Sequence, residues 1–225
     1  MNIRAVVLGA TGMVGEGVLH ECLLHPDVYS VMAINRRPCG VEHPRFHEMI
    51  HADFFDFGPL EPRLAGYDAC FFCMGVSSLG MGAEKYRRIT YDLTMHVAGT
   101  LARLNPQMTF CYVSGLGTDS TEQGKSRWAR VKGKTENDLL RLPFKAAYMF
   151  RPGYIQPTPG LKHTYRVYRV LAPFYPAIRR LIPRYVCTLR ELGLAMIHVA
   201  QHGCARRVLE CRDIVRCAAA STSQV

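Results

Sequence analysis

Short apolar runs alternate with stretches of helical periodicity through the first 150 residues or so of the chain. The runs at 4–8, 30–34, 47–51, 69–73, 109–113 and 146–150 each read as a short strand bounded by turn residues. After the first run, Val14, Val18 and Cys22 fall four residues apart, with Leu19 and Leu23 beside them. That spacing predicts a helix with one apolar stripe, stopped by His25-Pro26. A second helical stretch covers 84–104 and closes at Asn105-Pro106; a third covers 126–142, with Ser126 as N-cap and Pro143 as terminator. Thr188-x-x-Glu191 is a capping box for a helix running to about Gln201. Six strands joined by helical crossovers predict an α/β protein, a Rossmann-type doubly wound parallel sheet covered on both faces. The proline- and aromatic-rich segment 154–187 is read as a small C-terminal substrate lobe inserted into one domain spanning 1–217, and 218–225 as a frayed tail.

The turn between the first strand and the first helix reads Gly9-Ala10-Thr11-Gly12-Met13-Val14-Gly15. Glycines there let the backbone approach a pyrophosphate, and the following helix offers free N–H groups and the positive end of its dipole. Three glycines alone are a weak signal; placed between a strand and an amphipathic helix they predict a dinucleotide site. At the end of the second strand, a carboxylate would accept hydrogen bonds from an unphosphorylated ribose. Here the chain has Asn35-Arg36-Arg37. A guanidinium can pair with a 2′-phosphate, so the expected cofactor is NADP(H) rather than NAD(H), with Arg36 the stronger candidate of the two arginines. The plain alternative is a solvated loop.

Further motifs follow in order: His51-Ala52-Asp53 after the third strand, Cys73-Met74-Gly75 after the fourth, Tyr112-Val113-Ser114 in the fifth, Val131-Lys132-Gly133 in the next helix, and Arg151-Pro152-Gly153 after the sixth. With the glycine loop, their order and spacing over residues 3–200 resemble the short-chain dehydrogenase/reductase superfamily. Within it, the resemblance is to the divergent NAD(P)-dependent epimerase/dehydratase-like branch related to the Tat-interacting oxidoreductases. It implies that Asp53, with Phe54 beside it, meets the adenine, and that Cys73, Met74 and Gly75 flank the adenosine. It also implies that Lys132 binds the nicotinamide ribose, and that Pro152, Gly153 and Ile155 touch the nicotinamide. Asp53 has an alternative reading as a loop-solvating acid.

The superfamily's proton donor is the tyrosine of a Tyr-x-x-x-Lys pair, acidified by the lysine and the cofactor. This chain reads Trp128-Ala129-Arg130-Val131-Lys132. An indole N–H donates a hydrogen bond but does not ionise usefully. Lys132 and Ser114 remain as catalytic candidates, although Ser114 also reads as a residue that merely finishes a strand. Tyr154, His163 and Tyr165 are candidate substitutes for the tyrosine. Two functions compete: an oxidoreductase reducing or epimerising a small or lipid-like carbonyl substrate, and a regulatory or assembly protein that binds NADP(H) with little or no turnover.

Charge sharpens the partner question. From Leu139 to Arg190 there are ten Lys or Arg and no acid, which equals the whole net charge of +10. Interleaved with aromatics, these residues make an anionic membrane surface a candidate partner; nucleic acid is disfavoured and the oligomeric state is not readable. No apolar run is long enough to span a membrane and no leader is read, so a cytoplasmic protein is expected. The nine cysteines are read as reduced, with Cys70-x-x-Cys73 packing inside a strand rather than serving metal or redox chemistry. No metal site is expected: His198 and His202 share a helix face without a third ligand, and His43, His47 and His51 are read as incidental.

Overall fold

The computed structural model describes residues 2–163, 173 and 175–222. β1 (Ile3–Leu8), β2 (Val28–Asn35), β3 (Phe46–Ile50), β4 (Ala69–Phe72), β5 (Thr109–Val113), β6 (Ala146–Arg151) and β9 (Val208–Glu210) form one parallel sheet in the order β3-β2-β1-β4-β5-β6-β9. The chain order reverses between β1 and β4, so the crevice beyond their C-terminal ends is where such a sheet binds ligands. This is the expected Rossmann-type architecture with one more strand than the pattern predicts. Three-residue β9 is too short to carry a period.

Side chains of β1 alternate between two cores. Ala5 and Val7 pack with α1 (Met13–Leu24), α6 (Leu189–His202) and α7 (Cys211–Thr222); Val6 and Leu8 face the side of α3 (Leu93–Leu104). Both faces being covered explains why the strand reads as an unbroken apolar run. α1 and α6 approach closely because both are notched. A Cβ on Gly17 would stand 2.1 Å from the Leu189 side chain, and one on Gly193 would stand 2.7 Å from Glu21.

The stretch read as one helix over 84–104 is α2 (Ala83–Arg87), a π turn (Arg88–Asp92) and α3. The turn is tied to α4 (Arg127–Leu139) by the Tyr91 hydroxyl, which donates to Asp138 Oδ2 at 2.7 Å. Ser126 occupies the N-cap of α4 in extended conformation, but its hydroxyl makes no capping bond. Both halves of the Thr188–Glu191 capping box are formed.

The expected frayed tail is corrected up to residue 222. It continues α7, and Cys217, Ala218 and Ser221 are buried, the Ser221 hydroxyl lying 3.4 Å from His25 Nε2. Small residues there serve close packing, and composition alone cannot tell that from looseness. Of the segment read as a lobe, β7 (Tyr154–Gln156) and β8 (Val186–Thr188) pair in parallel, with α5 (Tyr175–Leu181) between them. Tyr165, Arg166 and Arg169 lie outside the described residues.

Candidate cofactor site

The glycine loop joins β1 to α1 at the topological switch point. Gly9 has φ +89°, and a Cβ there would press at 3.0 Å on the Cys73–Met74 peptide. A Cβ on Gly15 would stand 2.1 Å from the Gly9 carbonyl oxygen, so α1 seats on the turn only without a side chain at that position. Gly12 differs. Its φ is −110°, and its hypothetical Cβ meets only the Gly9 oxygen at 3.5 Å, an ordinary contact. The fold therefore does not itself forbid a Cβ at Gly12. α1 has no side-chain cap, which leaves first-turn N–H groups available to an anion. Met13 is buried in the core, Val14 packs against it and Thr11 is half-buried.

Arg36 and Arg37 are exposed at the end of β2. The buried Asn35 beneath them donates from Nδ2 to Glu48 Oε1 at 2.7 Å; Glu48 also accepts the Cys39 N–H at 2.9 Å and is thereby tied into the protein. Asp53 is exposed and accepts the Phe55 N–H at 2.9 Å, closing a local turn. Phe54 is 5% exposed and packs on His51 and Phe57. A large ring after Asp53 fills the core beneath the turn. Cys73 and Met74 are half-buried, and Gly75 is exposed with nothing within 4 Å of a Cβ. Burial pushes the Cys70 thiol well up and that of Cys73 up to about 12, so both are protonated apolar groups.

At the opposite end, Trp128, Lys132 and Glu136 are spaced four apart on α4 and share one face. The Trp128 ring packs on the backbone of Gly117, 3.5 Å from where a Cβ would stand. α4 can lie this close because Gly133 has no side chain; a Cβ there would overlap the Asp119 carbonyl at 1.7 Å. The Lys132 ammonium donates to the Ser114 carbonyl and sits 5.9 Å from the centre of the Tyr112 ring. Burial lowers its pKa to about 8 against the opposing pull of Glu136. Burial also pushes the Tyr112 phenol up, so this nearby tyrosine is a poor proton donor.

The Ser114 hydroxyl lies within hydrogen-bond reach of two acceptors, Glu136 Oε1 and, at 3.1 Å, the Phe150 carbonyl, and its single proton is shared between them. Glu136 is 1% exposed and paired with Arg151, whose Nε lies 3.0 and 3.1 Å from the two carboxylate oxygens and whose Nη2 also donates to it. A buried carboxylate needs this many donors, and Ser114 is one of them. The sequence reading missed the pair. Glu136 lies one turn beyond Lys132, a visible spacing, and Arg151 stands in a quoted motif.

Pro152 is buried, Gly153 accepts no Cβ because Tyr185 O would stand 2.3 Å away, and Ile155 is a core residue of β7, 5% exposed; its side chain packs inward rather than onto a ligand. The Tyr154 hydroxyl donates to Gln156 Oε1 at 2.8 Å. His163 Nδ1 lies 3.1 Å from Glu16 at the first turn of α1. The basic surplus is partly spoken for: Arg141, Arg151, Arg179 and Arg190 lie within ion-pair distance of Asp138, Glu136, Glu191 and Glu21. Among the described residues no helix is long and apolar enough to cross a membrane, and no three His, Cys, Asp or Glu gather as a metal set.

No known family model matches the chain. Protein HTATIP2 of Rattus norvegicus is 28% identical over 157 residues, which is 68% of this chain and 63% of that protein. The mitochondrial protein FMP52 of Meyerozyma guilliermondii is 27% identical over 157 residues, 68% of this chain and 65% of that protein. The chain thus matches less than two thirds of the length of either relative. The resemblance to the divergent epimerase-like branch of the short-chain dehydrogenases holds. Among solved structures, the Bordetella bronchiseptica enzyme WbmF in complex with NAD+ superposes with a TM-score of 0.65 at 14% identity, over 99% of this chain and 78% of that one. A UDP-N-acetylglucosamine 4-epimerase from Methanobrevibacter ruminantium gives 0.66 at 16% identity, over 92% and 75%. At these identities the likeness is one of fold.

Proposed function

We propose that the chain is an NADP(H)-binding, oxidoreductase-like protein acting slowly on a small or lipid-like carbonyl substrate, which it reduces or epimerises. The observation that carries the reading is the open glycine: Gly12 has room for a Cβ that the fold itself does not forbid, at the uncapped end of α1. A dinucleotide fits this cradle, with first-turn N–H groups toward the pyrophosphate, Arg36 and Arg37 toward a 2′-phosphate, and Asp53 and Gly75 along the adenosine. When bound, the nicotinamide supplies or accepts a hydride. Lys132 holds the ribose with the protons its ammonium does not give to Ser114. Trp128 covers the loop at Gly117 and shields the site from water, and its indole can orient a carbonyl but cannot protonate it. The fold shared with dehydrogenase and epimerase structures is compatible with the oxidoreductase-like class, and the free thiols suit a reducing compartment, the cytoplasm in our reading.

A second reading, a regulatory or assembly protein that binds NADP(H) without turnover, is favoured by one observation. The Ser114 hydroxyl, which a catalytic serine would give to substrate, is engaged by Glu136 and Phe150. NADPH oxidation by the native chain, Trp128→Tyr and Lys132→Ala against aldehydes, ketones and quinones separates the two. Slow native turnover, abolished in Lys132→Ala and raised up to about tenfold in Trp128→Tyr, is expected, well below the full ~10²–10⁴ of acid–base assistance because Ser114 stays engaged. No turnover by either active form, with NADPH tightly bound, supports the second reading; fast turnover indifferent to Lys132→Ala overturns the site assignment.

A further inference from the structure

The strap formed by residues 157–163 leaves β7 and runs to the first turn of α1, where Glu16 fastens it. Glu16 Oε1 accepts the Lys162 N–H and Oε2 the His163 N–H, each at 2.8 Å, and His163 Nδ1 lies 3.1 Å from the same carboxylate. Leu161 packs on the core beneath. Two consecutive backbone bonds to one carboxylate fix the direction in which the Lys162 side chain leaves the strap. Its ammonium lies beside Gly40, 3.7 Å from where a Cβ would stand, in the loop that carries Arg36 and Arg37 out of β2.

Two electrostatic facts follow from this arrangement. Glu16 would oppose a pyrophosphate at the N-terminus of α1, and the strap offsets its charge with two backbone N–H donors. Meanwhile Arg36, Arg37 and Lys162, all exposed, take part in none of the ion pairs found among the described residues. Three exposed cations thus border one loop from two segments more than a hundred residues apart, a local positive field that favours an anion. Glu42 is exposed on the same loop, two residues beyond Gly40, and forms none of the ion pairs found among the described residues, while Glu48 is committed to Asn35 and Cys39.

We propose that Lys162, carried over the β2 loop by the Glu16-pinned strap, is a specificity-determining residue for the 2′-phosphate of NADP(H). The inference rests on the NADP(H) reading above and adds a residue to it that neither the glycine motif nor the arginines at the strand end reveal. A point charge on a flexible stem suits a phosphate that Arg36 already orients.

The test is calorimetric titration of NADPH and of NADH into the native chain, Lys162→Ala, Lys162→Arg, Glu16→Gln and Arg36→Ala, with thermal unfolding as a check on folding. Lys162→Ala is expected to weaken NADPH about three- to tenfold and leave NADH within about twofold, with most of the loss recovered in Lys162→Arg. Glu16→Gln, which loosens the strap, should reduce the NADPH preference in the native chain but add little in a Lys162→Ala background. Equal weakening of both nucleotides by Lys162→Ala, or no change, overturns the role of Lys162. If Arg36→Ala meanwhile removes the preference, the NADP(H) reading stands without it. A native chain that binds both nucleotides alike, or neither, overturns the reading itself.

Discussion

The two ends of the crevice are built on opposite principles. At the glycine loop, polar groups are left over: α1 is uncapped, Gly12 faces free space, and Arg36 and Arg37 are exposed. At the α4 end most are engaged: Ser114, Glu136 and Arg151 satisfy one another, and Lys132 gives one of its three N–H donors to the Ser114 carbonyl. An unsatisfied polar surface is prepared for a ligand, whereas a satisfied buried network mainly specifies structure. The contrast teaches that binding and chemistry, usually read together from one family motif, are separable. In the proposed reading the half that would bind nucleotide is open, and in the half that would carry chemistry Ser114 is engaged by Glu136 and Phe150.

Breaking the closed half should have the largest effect. Arg151→Ala leaves Glu136, 1% exposed, without its ion-pair partner, so destabilisation of about 3–5 kcal/mol is expected in urea unfolding. Glu136→Gln combined with Arg151→Met should recover much of it. Losses below about 1 kcal/mol for Arg151→Ala would mean that the network does not close this end.

A smaller effect concerns Lys132. Burial holds its folded pKa near 8, below its ordinary 10.5, so the charged form is disfavoured in the fold. The sign follows directly. Below about pH 8 both states are protonated and the full burial penalty is present; between about 8 and 10.5 the unfolded chain binds more protons, so stability rises with pH. Lys132→Met should lack that rise when unfolding temperatures are compared across the window. Parallel curves for the two proteins would show that the Lys132 ammonium is not desolvated.

The sheet was legible because its interior strands are continuous apolar runs and its helices keep a 3.6-residue period. β9 escaped notice, being three residues long, and 218–222 passed for a tail because Ala and Ser signal packing and looseness alike. The glycine loop was legible as a motif, but which glycine the fold itself requires depends on Cys73 and Met74, 64 and 65 positions beyond Gly9, or on the turn itself. Glu136 and Arg151 carried visible signals, a helical spacing and a motif position, yet charge counted along the chain treats Arg151 as surplus when it is neutralised in space. The Glu16 strap joins residues 146 and 147 positions apart and leaves no local trace.

The central claim, an open nucleotide end selective for a 2′-phosphate, is tested most directly by titrating NADPH and NADH into the native chain with Gly12→Val as the control. Expected are NADPH affinity at least about tenfold above that of NADH, and loss of both by about a hundredfold or more in Gly12→Val with a native-like circular dichroism spectrum, because the new side chain fills the space the fold leaves free. Retained binding by a folded Gly12→Val protein, or equal affinity of the native chain for the two nucleotides, would contradict it.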